Sequence, residues 1–381
     1  MIRHVAAGAA LLAVAVMLGA ASAAPVPIDR DAAMPHYDHI FVIVEENKSY
    51  GTVLDHGYAP AISDLAKTYG VATQMYAERH PSEPNYVAML GGDTFGIADD
   101  DAWYCIPGST RDFCKGADVP GFAVHLIDGP NLATQLAAKG LGWRAYLEDI
   151  PAPGSLAVIS PETASTPAAL YAAKHTGFTN YASVHADPKL PLELVGFDAL
   201  RADLRSGNVP AFAFVVPNQC NEMHGIDSPK APPDCQKDDD GLVRSGDATV
   251  NMLIAEMQAS PIWRRGNTAI VITWDEDGKA DRVPGAPQSC CVIDAHNPGG
   301  GRIPTIVITN HGPRGVADAT PYDHYSLLRT IEDAFRLDGH LRHAGDASVW
   351  PMTPLFARNT GTVSTTTAPM PSGPLRSAIV P

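Results

Sequence analysis

Three observations predict an α/β fold: a largely parallel central sheet with helices on both faces. Apolar, β-branched runs recur along the chain, helical patterns separate them, and several runs lack strict alternation, as strands buried on both faces do. The runs are HIFVIVEE (39–46), VATQMYA (71–77), WRAYLE (143–148), AFAFVVP (211–217), TAIVITW (268–274) and IPTIVIT (303–309). The helical patterns are APAISDLAKTYG, NLATQLAAKG, ATVNMLIAEMQAS and YSLLRTIEDAF. In the last, Leu327, Leu328, Ile331 and Phe335 fall on one face. Gly70 and Gly140 stand where helix C-caps belong. No repeat and no Gly/Ser-rich linker interrupts the middle, so residues 30–356 read as a single domain. In such a sheet, function belongs at the carboxyl ends of the strands.

The chain ends read differently. Arg3 and His4 precede a short, alanine-rich apolar run, and Ala21-Ser22-Ala23 has the small-x-small pattern of a signal peptidase site. Residues 1–23 are therefore expected to be a signal peptide, and the mature protein to be secreted or periplasmic. No later apolar stretch reaches the ~20 residues that span a bilayer. Residues 357–381, rich in Thr, Ser and Pro, are expected to be a disordered tail.

Export makes disulfides the natural state of the six cysteines. Cys105–Cys114 and Cys220–Cys235 are the local pairings; Cys290 and Cys291 either bridge each other or pair elsewhere. No C-x2-C pair has a second pair downstream, which argues against a zinc cluster. The net charge of −15 argues against nucleic acid or an anionic membrane as an electrostatic partner. It does not exclude a phosphorylated small substrate, because a local cation reverses the field in one pocket.

The strand ends carry the chemistry. The first strand closes on Glu45-Glu46-Asn47 and the fifth on Asp275-Glu276-Asp277. Carboxylates that converge at one sheet edge need a cation or a proton between them, and hard oxygens suit a divalent cation. Ser82 follows the second strand at the same edge, with Pro84 in the first helical turn. A serine there is either an N-cap or a nucleophile. As a nucleophile it sits at a positive helix end, where a phosphate is favoured, and a nearby cation would lower its hydroxyl pKa. Asn85 can donate to a phosphoryl oxygen. PNQCNEMHG offers Asn218, Asn221, Glu222 and His224, and YDHYSLLRTIED offers His324. The remaining histidines read as ordinary surface or core residues, His80 excepted for its closeness to Ser82.

Together VIVEENKSY, HPSEPNYVAMLGGDTFG, YLEDIP, VVPNQCNEMHG, GDATVNML, VITWDEDG and YDHYSLLRTIEDAF resemble the phosphoesterase family of bacterial acid phosphatases and phospholipases C, within the alkaline-phosphatase-like superfamily. The likeness spans roughly 37–337 and is greatest to small secreted acid phosphatases. It implies an alkaline-phosphatase-like fold and a phosphoesterase catalytic domain over 30–356. It implies Ser82 as nucleophile, Glu46, Asn47, Ser82, Asp275 and Glu276 as ligands of a divalent metal ion, and Asn85, His224 and His324 as phosphate contacts or proton donors. The superfamily's two-zinc members use a D-x3-H pair and a D-H pair; here those places read Asn218-x3-Glu222 and Asp275-Glu276. Fewer imidazoles favour a harder ion, and one metal rather than two. The expected activity is a metal-dependent acid phosphatase that hydrolyses phosphate monoesters through a phosphoserine. The substrate is a phosphorylated small molecule, or a phosphoinositide or other phospholipid. The alternatives are a phosphodiesterase or phospholipase C acting on phospholipid head groups, and a non-catalytic exported binding protein. Residues 278–302 match nothing placed by the resemblance.

Overall fold

The computed structural model describes residues 33–161, 169–228, 231–236, 239–278 and 284–357. The expected signal peptide, and the expected tail beyond Ala357, lie outside the described residues.

The main sheet has nine strands: β1 (His39–Glu45), β2 (Gly70–Tyr76), β3 (Trp143–Leu147), β6 (Leu194–Val195), β7 (Phe212–Val216), β8 (Thr268–Trp274), β9 (Arg302–Thr309), β10 (Val316–Asp318) and β11 (Tyr322–Asp323). The order is β10-β2-β9-β8-β1-β7-β3-β6, with β11 also paired to β2. A separate ribbon pairs β4 (Ile159–Ser160) with β5 (Tyr171–Ala172). All six expected strands are present. β1 runs parallel to β7 and β8, and β3 parallel to β7 and β6. IPTIVIT departs from the parallel expectation: β9 is antiparallel to both β8 and β2. Two reversals cancel, so β2 still points the same way as β8 and β1. The carboxyl ends of β1, β2, β7 and β8 therefore share one edge.

Every residue of β7 and β8 is buried, which requires cover on both faces of the sheet. The helices that supply it are α1 (Tyr50–Leu54), α2 (Pro60–Thr68), α3 (Glu83–Gly91), α4 (Leu132–Ala138), α5 (Ala182–His185), α6 (Leu190–Glu193), α7 (Phe197–Ser206), α8 (Asp239–Ala259), α9 (Pro261–Arg265), α10 (His324–Phe335) and α11 (Thr353–Phe356). α2 packs on α8, and α3 on α10. In α10, Leu327, Leu328, Ile331 and Phe335 are all buried, on the face the sequence spacing sets apart. Gly140 follows α4 at φ +72°, the left-handed geometry of a helix stop. Gly70 is no cap: Tyr69 ends α2, and Gly70 is the first residue of β2. A Cβ there would meet Leu355 Cδ2 at 3.2 Å, so close packing explains that glycine.

All six cysteines are paired, as Cys105–Cys114, Cys220–Cys235 and Cys290–Cys291. Among the described residues no helix is long and apolar enough to cross a membrane.

Candidate active site

Ser82 occupies the N-cap position of α3, but its side chain caps nothing. Its backbone is already helical (φ −60°, ψ −52°), whereas a capping serine is extended. The hydroxyl instead donates to Glu46 Oε2 at 3.0 Å, and Ser82 is 1% exposed. A different residue deals with the helix end: Asp100 Oδ1 accepts the Glu83 N–H at 3.1 Å. The expected anion site at that terminus is thus already met by a carboxylate, and Asp100 Oδ2 is held by Lys174 Nζ at 2.9 Å.

Around Glu46 Oε2 lies a cluster of oxygens. Glu46 and Asp275 are wholly buried and Glu276 nearly so. The tip of the Asn47 amide lies 2.9 Å from Glu46 Oε2 and 3.2 Å from both Asp275 Oδ1 and Glu276 Oε1. As nitrogen, that atom donates to all three; as oxygen, it is one more ligand around a cation. Asn47 reaches this position in left-handed backbone (φ +48°), a conformation asparagine tolerates, and its N–H donates to Asp275 Oδ1 at 3.1 Å. Burial, then Asp275 and Glu222, hold the Glu46 carboxyl well above its usual range. Burial also raises Asp275, and pushes Glu276 up to about 7 against the pull of His80. His80 bridges two acids: Nδ1 meets Glu276 Oε2, and Nε2 lies 3.2 Å from Asp277 Oδ1.

Imidazoles flank the other oxygen of Glu46. His175 Nε2 is 3.5 Å from Glu46 Oε1, and His175 Nδ1 is 2.8 Å from Glu222 Oε1. Tyr86, one turn beyond Ser82, stacks on the His175 ring at 5.7 Å. Burial, Lys174 and His224 together hold His175 well below the usual histidine range, so it is neutral. With its proton on Nδ1 toward Glu222, the Nε2 lone pair faces a carboxylate oxygen, which calls for a proton or a cation between them. His224 completes this side, its ring 5.3 Å from that of His175, with Nδ1–H donating to the Gly225 carbonyl at 2.6 Å. Glu46, His175 and His224 present ligand atoms within 4.8 Å of one another, a buried group that could hold a metal ion. The loop bearing Glu222 and His224 is tied to β1 by Glu46 N–H to Glu222 O (2.7 Å) and Lys48 Nζ to Met223 O (2.8 Å). The Cys220–Cys235 disulfide closes the same loop.

Two expected residues lie one step back. Asn85 binds backbone rather than open space: Oδ1 accepts from Glu78 N and Arg79 N at 3.1 and 3.2 Å, and Nδ2 donates to Arg79 O and Pro81 O at 2.9 and 3.2 Å. It braces the turn that delivers Ser82. His324 is fully buried, with Nδ1 on Glu78 Oε2 and Nε2 on the Trp274 carbonyl at 2.9 Å. The Trp274 carbonyl only accepts, so Nε2 carries a proton, and the carboxyl group on Nδ1 favours the charged ring. Burial opposes that charge, but Glu78 and the carbonyl outweigh it and the pKa is raised. Asn218 points elsewhere, its amide on Asp149 Oδ2 at 2.7 Å, whereas Glu222 joins the cluster. His175 and Lys174 were not singled out from the sequence. They follow β5, a strand of two residues, where no periodicity marks a sheet edge.

The description of the Phosphoesterase family matches residues 52–338. The chain belongs to the Phosphoesterase family. It is accordingly a phosphoric-ester hydrolase of the acid-phosphatase-like kind. The family member is 29% identical over 307 residues to a phosphatidylinositol-3-phosphatase of Mycobacterium tuberculosis, covering 80% of this chain and 79% of that protein. It is 26% identical to a probable acid phosphatase of Kluyveromyces lactis (82% and 62% covered) and 27% identical to an acid phosphatase of Aspergillus fumigatus (70% and 48%). The chain thus spans about half to two thirds of the fungal relatives. Among solved structures it is similar to an alkaline phosphatase superfamily protein from Vibrio parahaemolyticus, with a TM-score of 0.49, 14% identity, and 87% and 71% of the two chains covered.

Proposed function

We propose that this phosphoesterase is an exported, metal-dependent phosphomonoesterase with one catalytic domain over 30–356, and that Ser82 is its nucleophile. The observation that carries the reading is the Ser82 hydroxyl: it caps no helix and donates to a buried carboxylate, Glu46, inside a converging oxygen cluster. Export is supported by three disulfides, which persist in oxidising compartments. The names of the mycobacterial and fungal relatives, all phosphatases, support a monoester over a diester, and a phosphoinositide as one substrate to test.

The donor set fits a divalent cation. Glu46 Oε1 is buried without a hydrogen bond, and the Asn47 tip faces three carboxylates. Glu46, Asn47, Asp275, Glu276 and Ser82 would hold one hard ion. Bound there, the ion would supply charge neutralisation and a lowered hydroxyl pKa. Ser82 then attacks phosphorus as its proton passes to Glu46, the P–O bond to the alcohol breaks, and phosphoserine forms. Water attacks phosphoserine in the second step and releases phosphate. Lys174, held by Asp100 at 2.9 Å, adds positive charge near Glu46 and Asp275. His224, with Nδ1–H fixed on a carbonyl, carries at Nε2 the proton for the leaving alkoxide. Asn85 and His324 position the Ser82 turn and the β8 end.

Ser82→Ala tests the reading. Its melting temperature is expected to match the wild type, because no cap is lost, while kcat falls at least about a thousandfold. Acid quenching during turnover of a radiolabelled monoester should leave label on Ser82. A variant that keeps substantial turnover, or label on another residue, overturns the assignment.

A further inference from the structure

We infer that the leaving-group pocket is built for a cationic amino alcohol, so that the preferred substrates are phosphomonoesters of the phosphoethanolamine and phosphocholine class; this rests on the phosphomonoesterase reading. A cavity of about 640 Å³ reaches Glu83, the residue after Ser82, although Ser82 itself does not line it. Lys174 and His224 line it as well. Its volume lies within the ~300–1,000 Å³ of small-molecule sites, well beyond what a phosphoryl group fills. The wall leading away from Ser82 is what the alcohol would touch.

That wall is acidic and aromatic. Trp103 and Phe113 line it, and the Trp103 indole is fixed by its Nε1–H on Leu156 O at 3.1 Å. Several lining acids are already matched by cations: Asp100 by Lys174, and Glu83 and Asp99 by His125 between them. Two are not. Asp101 is buried and receives only the backbone N–H groups of Lys115 and Gly116, at 2.7 and 2.8 Å. Asp227 is exposed on the lining and makes no ion pair among the described residues. Asn180 adds an independent sign of a donor ligand. It lines the cavity and is 1% exposed, its Nδ2 donates to Glu83 and His125 O, yet its Oδ1 has no partner among the described residues.

Unmatched carboxylates, an unmet acceptor and aromatic rings converge on one chemistry. An ammonium is attracted by the carboxylates and the ring faces, and a primary ammonium or hydroxyl can donate to Asn180. A leaving group that carries further phosphates or carboxylates would be repelled by the same wall, within a chain already at −15. Lys174 does not reverse this, because it is bound to Asp100, and the other lining lysine, Lys115, is exposed to solvent.

The test is a matched panel on the metal-loaded full-length enzyme. Its arms are phosphocholine, phosphoethanolamine, the carbon isostere of phosphocholine with a tert-butyl group replacing trimethylammonium, inositol monophosphate and phosphoglycerate. The two cationic esters should exceed the isostere in kcat/KM by about tenfold or more, mainly through KM. Asp227→Asn and Trp103→Leu should each move that ratio toward one. A wild-type ratio near one, or fastest hydrolysis of inositol monophosphate or phosphoglycerate, overturns the pocket inference and leaves the monoesterase reading standing. Hydrolysis of no monoester, with Ser82-dependent cleavage of bis-p-nitrophenyl phosphate, overturns the reading beneath it as well.

Discussion

The two oxygens of Glu46 look into different chemistries. Oε2 faces a hydroxyl, an amide and, beyond them, Asp275 and Glu276: oxygen throughout, and Ser82 in reach. Oε1 faces His175, a neutral imidazole backed by Glu222, with His224 beside it. Both sides are short of positive charge, but they lack it differently. On the oxygen side at least three carboxylates meet, and one shared proton cannot neutralise them all. On the imidazole side one Glu46 oxygen meets the His175 lone pair, and the single proton that Glu46 takes from Ser82 satisfies it. The difference teaches a division of labour. The oxygen side suits a hard cation that activates Ser82, and the imidazole side suits proton transfer to the departing alcohol.

The sharpest break of that comparison is metal content. Asp275→Asn disturbs only the oxygen side, and His175→Gln only the imidazole side. Elemental analysis of the purified proteins should find Asp275→Asn stripped of metal, with activity down about a thousandfold. His175→Gln should keep its metal and lose less activity. The reverse pattern would move the ion to Glu46, His175 and His224.

The same comparison marks how far the sequence could be read. The oxygen side stands at the ends of β1 and β8, two long apolar strands whose parallel direction follows from the alternating pattern, so Glu46, Asn47, Asp275 and Glu276 were legible as neighbours. Ser82 was legible as a choice between cap and nucleophile, and only its αR backbone and its bond to Glu46 separate the two. The imidazole side comes from irregular segments. His175 depends on a two-residue strand and a short 3-10 turn, and no spacing rule places such a turn against β1. Asn85 and His324 were legible as members of the site, but not as residues whose every polar atom meets backbone or Glu78. That requires the course of the 78–82 turn, which tertiary packing decides. β9 ran against expectation because an apolar run carries no sign of its direction.

Proton transfer on the imidazole side has its own signature. If His224 protonates the leaving alkoxide, its removal should hurt most where the alcohol leaves poorly. His224→Ala is expected to slow an alkyl phosphate by on the order of a hundredfold and p-nitrophenyl phosphate by about tenfold or less. Comparing the two substrates on one enzyme preparation gives the answer. Equal losses on both would make His224 a phosphate contact instead, and the division of labour around Glu46 would lose its second half.

The smallest expected effect concerns two buried acids outside the oxygen cluster, where the nearby cations, His324 for Asp323 and Arg329 for Glu332, do not offset burial. Asp323 caps α10, and Glu332 accepts the Leu341 N–H at 2.8 Å. Burial pushes each up to about 8, and one oxygen of each is buried without a partner. Here protons do what the cation is proposed to do beside Ser82. The sign follows from proton counting. Between the ordinary carboxylate range and about 8, the folded state holds protons that the unfolded chain has released. Their stabilisation is complete below the unfolded pKa values of about 4 and is lost as pH rises through about 8. The melting temperature should therefore fall from pH 5 to pH 8, in the direction that suits an enzyme of acid-phosphatase type. Glu332→Gln keeps an acceptor for the Leu341 N–H and cannot ionise. Its melting curve should flatten against pH, standing about a few degrees above the wild type at pH 8 and near it at pH 5. A variant whose pH slope equals that of the wild type would mean that Glu332 is ionised in the folded protein. Proton neutralisation of these two buried acids would then no longer stand as the contrast to the cation beside Ser82.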